Sequence, residues 1–225
     1  MNSGGYFVKI ISIREKDMIA IIDYKMGNLR SVAKAMEKVG AEVLVTAKAK
    51  DLKRARAIIL PGVGAFGQGM KHLKESGIIP ALLEEVKSGK PLLGICLGLQ
   101  LLFTESEEHG RYKGLDIIKG EVKRFPQNIK VPHMGWNNVK SKVKSQKSKI
   151  DILKGIPDSA YFYFVHSYYV VPEDKSIIVA TTEYGIEFAS VIQKDNIWGV
   201  QFHPEKSQEL GLRILRNFVK ISGVW

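Results

Sequence analysis

The chain has 225 residues, 45% of them hydrophobic and 25% charged, with a formal net charge of +11 and a single cysteine. That length and apolar content support one sizeable core without demanding a second domain. One cysteine excludes an intramolecular disulfide framework and suits a reducing cytoplasm. The longest apolar stretch, about 92–103, is too short and too interrupted by glycine to span a bilayer, and Lys9 breaks the short apolar run near the N-terminus, so no secretory signal is expected.

In chain order, 6–13 has the pattern of an edge strand and carries no assigned function. Residues 19–22 read as a buried strand. Leu29, Val32, Ala33, Met36 and Val39 then mark one face of a helix, with Asn28 as its N-cap and Gly40 as its C-cap. Strands follow at 42–46 and 57–60, then a helix over about 69–88 closed by Gly89, a strand around 91–93 and a helix over 97–103. Beyond Gly114 the rhythm changes to short strands at about 115–123, 137–140, 161–170, 177–182, 188–193 and 197–202, and a last helix spans about 208–221. The pattern predicts a three-layer α/β domain with a mostly parallel central sheet, additional antiparallel strands, and Cys96 at the carboxyl end of a middle strand. No internal repeat or low-complexity segment is visible.

Cys96 sits in Gly94-Ile95-Cys96-Leu97-Gly98 at a strand-to-helix turn. Flanking glycines permit a tight turn that holds a nucleophile strained and exposed and clear space for a substrate, and the helix start favours thiolate over thiol. A small buried apolar residue is the plain alternative, and the pentapeptide alone leaves both open. His203-Pro204-Glu205 follows the apolar run 197–202. In extended chain His203 and Glu205 share a side, with Pro204 keeping the segment out of a helix, so the carboxylate can fix the imidazole tautomer of a general base. A surface His and Glu at a strand end is the competing reading, weakened by the cysteine elbow elsewhere.

Gly62 to Gly67 fits the dinucleotide fingerprint G-x-G-x-x-G literally. It follows an earlier strand–helix–strand unit instead of opening the first one, and Glu84-Glu85 lie inside a helical pattern where a strand-end acid is required. A glycine-rich turn beside a nucleophile can instead aim backbone N–H groups at a developing oxyanion.

Pro91-Leu92-Leu93-Gly94-Ile95-Cys96-Leu97-Gly98-Leu99-Gln100 and Phe202-His203-Pro204-Glu205-Lys206-Ser207 together resemble the triad-type (class I) glutamine amidotransferases. Asp23-Tyr24-Lys25-Met26-Gly27-Asn28-Leu29, Pro61-Gly62-Val63-Gly64-Ala65-Phe66, Pro132-His133-Met134-Gly135-Trp136-Asn137 and Tyr163-Phe164-Val165-His166-Ser167-Tyr168 are more specific: they resemble the glutaminase subunits of imidazole glycerol phosphate synthases. The resemblance covers residues 18–225 as one glutamine amidotransferase domain and leaves 1–17 as an N-terminal extension outside the pattern.

The resemblance implies that the Cys96 thiolate attacks the glutamine carboxamide while His203, oriented by Glu205, relays protons. It implies an oxyanion site from the N–H of Leu97 and one from the Gly62-Val63-Gly64 turn, whose two glycines can rotate a peptide toward or away from that site. Gly64, Gln100, Glu108 and the main chain at His166, Ser167 and Tyr168 are implied to grip glutamine. Plain alternatives are a solvent-facing Gln100, Glu108 as one charge in an acidic run, and His166 as a satisfied core histidine. The implied partner is a (β/α)8-barrel cyclase subunit that uses the ammonia to make imidazole glycerol phosphate and AICAR, met near Trp136, Tyr163 and Lys206. No cofactor, metal, nucleic acid or membrane is implied.

The charge of +11 tempts a nucleic-acid reading, with lysines at 140, 142, 144, 147 and 149 as its patch. That stretch holds no aromatic residue for stacking and no nucleic-acid module is present, so it reads as a solvated loop, or secondarily as a docking surface for an acidic partner. Two other functions stay open: a glutaminase serving another synthase, and a non-catalytic interaction subunit on the same fold.

Overall fold

The computed structural model describes residues 18–142 and 152–224, so the expected strand within 6–13 and the lysines at 144, 147 and 149 lie outside the described residues. The first half runs β1 (Met18–Ile22), α1 (Leu29–Lys38), β2 (Glu42–Thr46), α2 (Ala49–Arg54), β3 (Ala57–Leu60), α3 (Phe66–Ser76), α4 (Ile79–Lys87), β4 (Leu92–Ile95) and α5 (Leu97–Leu101). The second half runs β5 (Phe103–Ser106), β6 (Tyr112–Lys113), β7 (Ile118–Arg124), β8 (His133–Ser141), β9 (Ala160–His166), β10 (Tyr168–Pro172), β11 (Ile178–Glu183), β12 (Glu187–Lys194), β13 (Ile197–Val200) and α6 (Gln208–Ile221).

One nine-stranded sheet has the order β2-β1-β3-β4-β13-β12-β11-β8-β9. Its first five strands are parallel, and β12, β11, β8 and β9 continue it antiparallel. Alternation along β1 explains the layers: Ile19 and Ile21 pack with Met36 of α1 and Phe218 of α6, whereas Ala20 and Ile22 pack with Leu73 of α3, Leu82 of α4 and Leu101 of α5. Strands β3, β4 and β13 are buried at every position, as a parallel sheet covered on both faces requires. A second sheet, β10-β7-β5-β6, lies on the α3–α5 side, where Phe103, Ile118 and Val170 join the same core as Ile192 of β12.

Several boundaries differ from the sequence expectation. The helix expected over 69–88 is two helices, because Gly77 leaves α3 in the left-handed region at φ 68° and Pro80 lies in the first turn of α4. The helix expected to reach Phe103 ends at Leu101, and Phe103 instead starts β5, paired in parallel with β7. The strand expected over 161–170 breaks at Ser167, where the chain leaves the large sheet in β9 and enters the small one in β10. Asn28 does cap α1, its Oδ1 accepting from the N–H of Ser31 at 3.3 Å, but the C-cap is Val39, with Gly40 following at φ 90°.

Candidate active site

Strand β4 lies between β3 and β13, and the chain leaves it through Cys96 at φ 53° and ψ −109°. Such a conformation costs a non-glycine residue roughly 1–3 kcal/mol and persists only when its surroundings impose it. Here the Cys96 N–H donates to the carbonyl of Val200 at 2.8 Å, and the Cys96 carbonyl accepts from the N–H of Gln100 at 3.2 Å. The flanking glycines serve this geometry differently from the sequence expectation. A Cβ on Gly98 would run into the Leu60 carbonyl, and one on Gly94 would lie 2.8 Å from Cα of Leu99. They clear room for α5 against the strands, not for substrate. Cys96 is also buried, 5% exposed, where an exposed thiol was expected. The carbonyl of Val165 and the side-chain amide of Gln201, each 3.7 Å from Sγ, enclose it.

Because β13 runs parallel to β4, with Val200 opposite Ile95, both chains emerge at the same sheet edge. His203 Nδ1 lies 2.8 Å from Glu205 Oε1, and both side chains are buried. An ionised carboxylate can only accept, so Nδ1 carries the hydrogen and Nε2 is left for Cys96. The contact forms across a 3-10 turn, Pro204–Lys206, and not along extended chain as expected; Pro204 fits the first turn, where its missing N–H costs nothing. Ser207 locks the arrangement: its hydroxyl donates to the His203 carbonyl at 2.7 Å and accepts from the Tyr163 N–H at 3.0 Å, while the His203 N–H donates to the Tyr163 carbonyl at 2.9 Å. Burial pulls the pKa of His203 down, but the charge and hydrogen bond of Cys96, followed by those of Glu205, outweigh it and push it up to about 10. The raised His203 pKa favours an imidazolium beside the sulfur.

A cavity of about 230 Å³ opens over Sγ. This is below the range of about 300–1,000 Å³ usual for drug-sized ligands and in keeping with one amino acid. Val63, Gly64, Leu97, Gln100, Glu108, His166, Ser167, Tyr168, His203 and Lys206 all line it. Gly62 does not line it; a Cβ there would collide with the Tyr24 hydroxyl and stand 2.9 Å from Cβ of Leu97. Among the described residues the N–H groups of Val63, Gly64 and Leu97 donate to no protein acceptor. A larger surface cleft of about 660 Å³ beside α3 contains neither Cys96 nor His203 and shares only Glu108 with the site.

The polar walls are built into the fold. Gln100 is buried, and its Nε2 donates to the Tyr168 carbonyl at 2.9 Å and to Gln201 Oε1 at 3.2 Å. Glu108 Oε2 accepts from the Phe66 N–H at 2.6 Å, capping α3, whose own N-cap residue Ala65 has no side-chain acceptor. His166 points its ring inward: Nδ1 donates to the Tyr168 carbonyl at 2.8 Å, and Nε2 meets His133 Nδ1 at 3.0 Å. Pro132 and Val165 also line the cavity and, like Gln201, carried no sequence assignment of their own. Gln201 had a legible signal, as the one amide in an apolar run, two residues before His203.

Trp136, Tyr163 and Lys206 come together on β8, β9 and the 3-10 turn. The Trp136 and Tyr163 ring centroids are 6.1 Å apart, and Lys206 Nζ lies 5.9 Å from the Tyr163 centroid. Trp136 is 46% exposed, next to Met134 at 62% and Tyr161 at 58% on the edge hairpin. Of the lysine patch, Lys140 and Lys142 pair with Glu183 and Glu187 at 3.7 and 2.8 Å. Among the described residues no helix is long and apolar enough to cross a membrane.

The family model described as "Glutamine amidotransferase class-I" matches residues 20–221. Similar curated proteins include "Imidazole glycerol phosphate synthase subunit HisH" of Moorella thermoacetica, 54% identical over 89% of this chain and 93% of the relative. The protein of that name from Methanothermobacter thermautotrophicus is 53% identical over 91% and 98%. Among solved structures, a glutamine amidotransferase superposes with a TM-score of 0.71 at 20% identity, covering 92% of this chain and all of that one. "Structure of PurLQS from Thermotoga maritima" gives 0.70 at 17% identity over 92% and 99%. These two likenesses speak for the fold.

Proposed function

Since the chain belongs to the class-I glutamine amidotransferases, and within them to the HisH subunits of imidazole glycerol phosphate synthase, we propose that the cavity over Cys96 is where it hydrolyses glutamine. The chain is the glutamine-hydrolysing subunit of that synthase, acting in histidine biosynthesis with a cyclase partner. The observation that carries the residue assignment is the buried series Cys96, His203 and Glu205, of which Cys96 and His203 line a cavity sized for an amino acid.

In this reading the Cys96 thiolate forms the C–S bond to the side-chain carbonyl carbon of glutamine, and the carbonyl electron pair moves onto oxygen. The N–H of Leu97 and one from Val63 or Gly64 hold that oxyanion, while Gly62, packed under Tyr24, serves the turn. Its collapse breaks the C–N bond, and the proton on His203 Nε2 goes to the departing ammonia. Neutral His203 then takes a proton from water, the hydroxide attacks the thioester, and C–S cleavage returns glutamate and thiolate. Gln100 spends its N–H groups inside the protein, so its Oε1 is left to accept from the substrate ammonium. Glu108 adds negative charge on the same side, and the main chain at His166, Ser167 and Tyr168 is left to the carboxylate.

Ammonia released into water is mostly protonated and no longer nucleophilic, which favours a sheltered route to the partner. The exposed Met134, Trp136 and Tyr161 beside Tyr163 and Lys206 are the surface proposed to meet a (β/α)8-barrel cyclase. A reducing cytoplasm belongs to this reading, since it keeps Cys96 a free thiol. A glutamine-like diazo-ketone tests it: mass spectrometry of the complex should find the adduct on Cys96, and absence of an adduct there contradicts the nucleophile assignment.

A further inference from the structure

Gln201 lies in the bend between β13 and His203 and is 0% exposed, its N–H donating to the Ser190 carbonyl at 2.9 Å. It is not among the residues lining the cavity. The orientation of its side-chain amide follows from its neighbours. The Tyr168 carbonyl can only accept, so the Gln100 group 2.9 Å from it must be Nε2. That nitrogen's second hydrogen points at Gln201 across 3.2 Å, which requires Oε1 of Gln201 there. Nε2 of Gln201 is thereby turned to Cys96 Sγ, at 3.7 Å.

We propose that Gln201 is a further catalytic residue, whose side-chain N–H steadies the Cys96 thiolate with its polarity set by Gln100. The inference rests on the glutaminase reading of the site. A hydrogen bond to the charged form favours that form. The sulfur sits between opposed influences: the Val165 carbonyl, also at 3.7 Å, accepts from a neutral S–H and favours the thiol, while Gln201 favours the thiolate. The same N–H acts twice in the cycle, since sulfur enters as thiolate in acylation and leaves as thiolate when the thioester is hydrolysed. Gln201 does not line the cavity, so a replacement that keeps the acceptor for Gln100, as Gln201→Glu does, acts on kcat and leaves KM nearly unchanged.

The test is the pH dependence of Cys96 alkylation by iodoacetamide, measured on the wild type, Gln201→Met and Gln201→Glu, alongside glutaminase kinetics with the cyclase. Gln201→Met keeps the length and removes both the donor to sulfur and the acceptor for Gln100; it should raise the pH of half-maximal alkylation by about one and lower kcat about tenfold. Gln201→Glu still accepts from Gln100 but sets a carboxylate against the sulfur, and should raise it further. An unchanged alkylation profile in either variant with a cooperative melting transition overturns the proposal. A wild type whose thiol alkylates normally but hydrolyses no glutamine overturns the reading of the site instead, so the two failures are distinct.

Discussion

Glu205 Oε1 lies 2.8 Å from His203 Nδ1, with both side chains almost wholly out of water, and its other carboxylate oxygen has no hydrogen-bond partner among the described residues. The buried charge is thus answered mainly by His203, which binds the imidazolium in place and commits Nε2 to the cysteine.

Glu205→Gln removes that charge while keeping the shape. It should lower kcat for glutamine by about 100-fold or more, within the range of general acid–base contributions, and should let burial pull the His203 pKa down. Steady-state kinetics across pH check this; a kcat within a few-fold of wild type contradicts the role of Glu205.

Gly98→Ala should damage the fold and the site together. The added methyl meets the Leu60 carbonyl, which belongs to a fully buried strand and cannot move aside. Overpacking of this kind costs about 1–3 kcal/mol or more. Thermal melting should show a clear loss; an unchanged midpoint contradicts the close approach of α5 to β3.

Stability should depend on pH in two windows with opposite signs. Burial holds His166 down at about 3 and His133 at about 4, against about 6.5 in an unfolded chain. As pH falls below 6.5 the unfolded chain takes protons that these rings refuse, so stability is lost toward pH 4, with a limiting slope of about 1.4 kcal/mol per pH per histidine. His203 is raised, so its contribution is full below 6.5 and is lost as pH rises toward about 10. Urea midpoints from pH 4 to 10 check both, and His133→Asn should reduce only the acid-side slope. A flat acid side contradicts the neutral buried pair.

The Gly62-Val63-Gly64 turn, with Gly64 at φ 93°, can present or withdraw an oxyanion donor at little steric cost. The isolated chain should be a poor glutaminase, and cyclase with its ligand should raise kcat about a hundredfold, the worth of about one restored donor. Full activity from the chain alone means a preassembled site.

The sequence made the parallel half legible because β1, β3, β4 and β13 are short, mostly apolar runs buried along their length, and the elbow and His-x-Glu motifs follow the ends of β4 and β13. It was less informative where pairing across the molecule decides. Phe103 reads as a helix continuing from Leu97 until β7 claims it as a strand, and 161–170 reads as one strand until Ser167 carries it from one sheet to the other. The burial of Cys96 was not legible either, because its cover, Val165 and Gln201, comes from 69 and 105 residues away. The inward contacts of Gln100 with Tyr168 and of His166 with His133 likewise join residues 68 and 33 positions apart.

The most direct measurement uses the complex of Cys96→Ala with the cyclase, assayed for synthesis with glutamine and, separately, with an ammonium salt. If Cys96 serves only to release ammonia, the glutamine-dependent reaction is abolished while the ammonium-dependent one proceeds at the wild-type rate. Equal loss with both nitrogen sources, or retained synthesis from glutamine, would contradict the account.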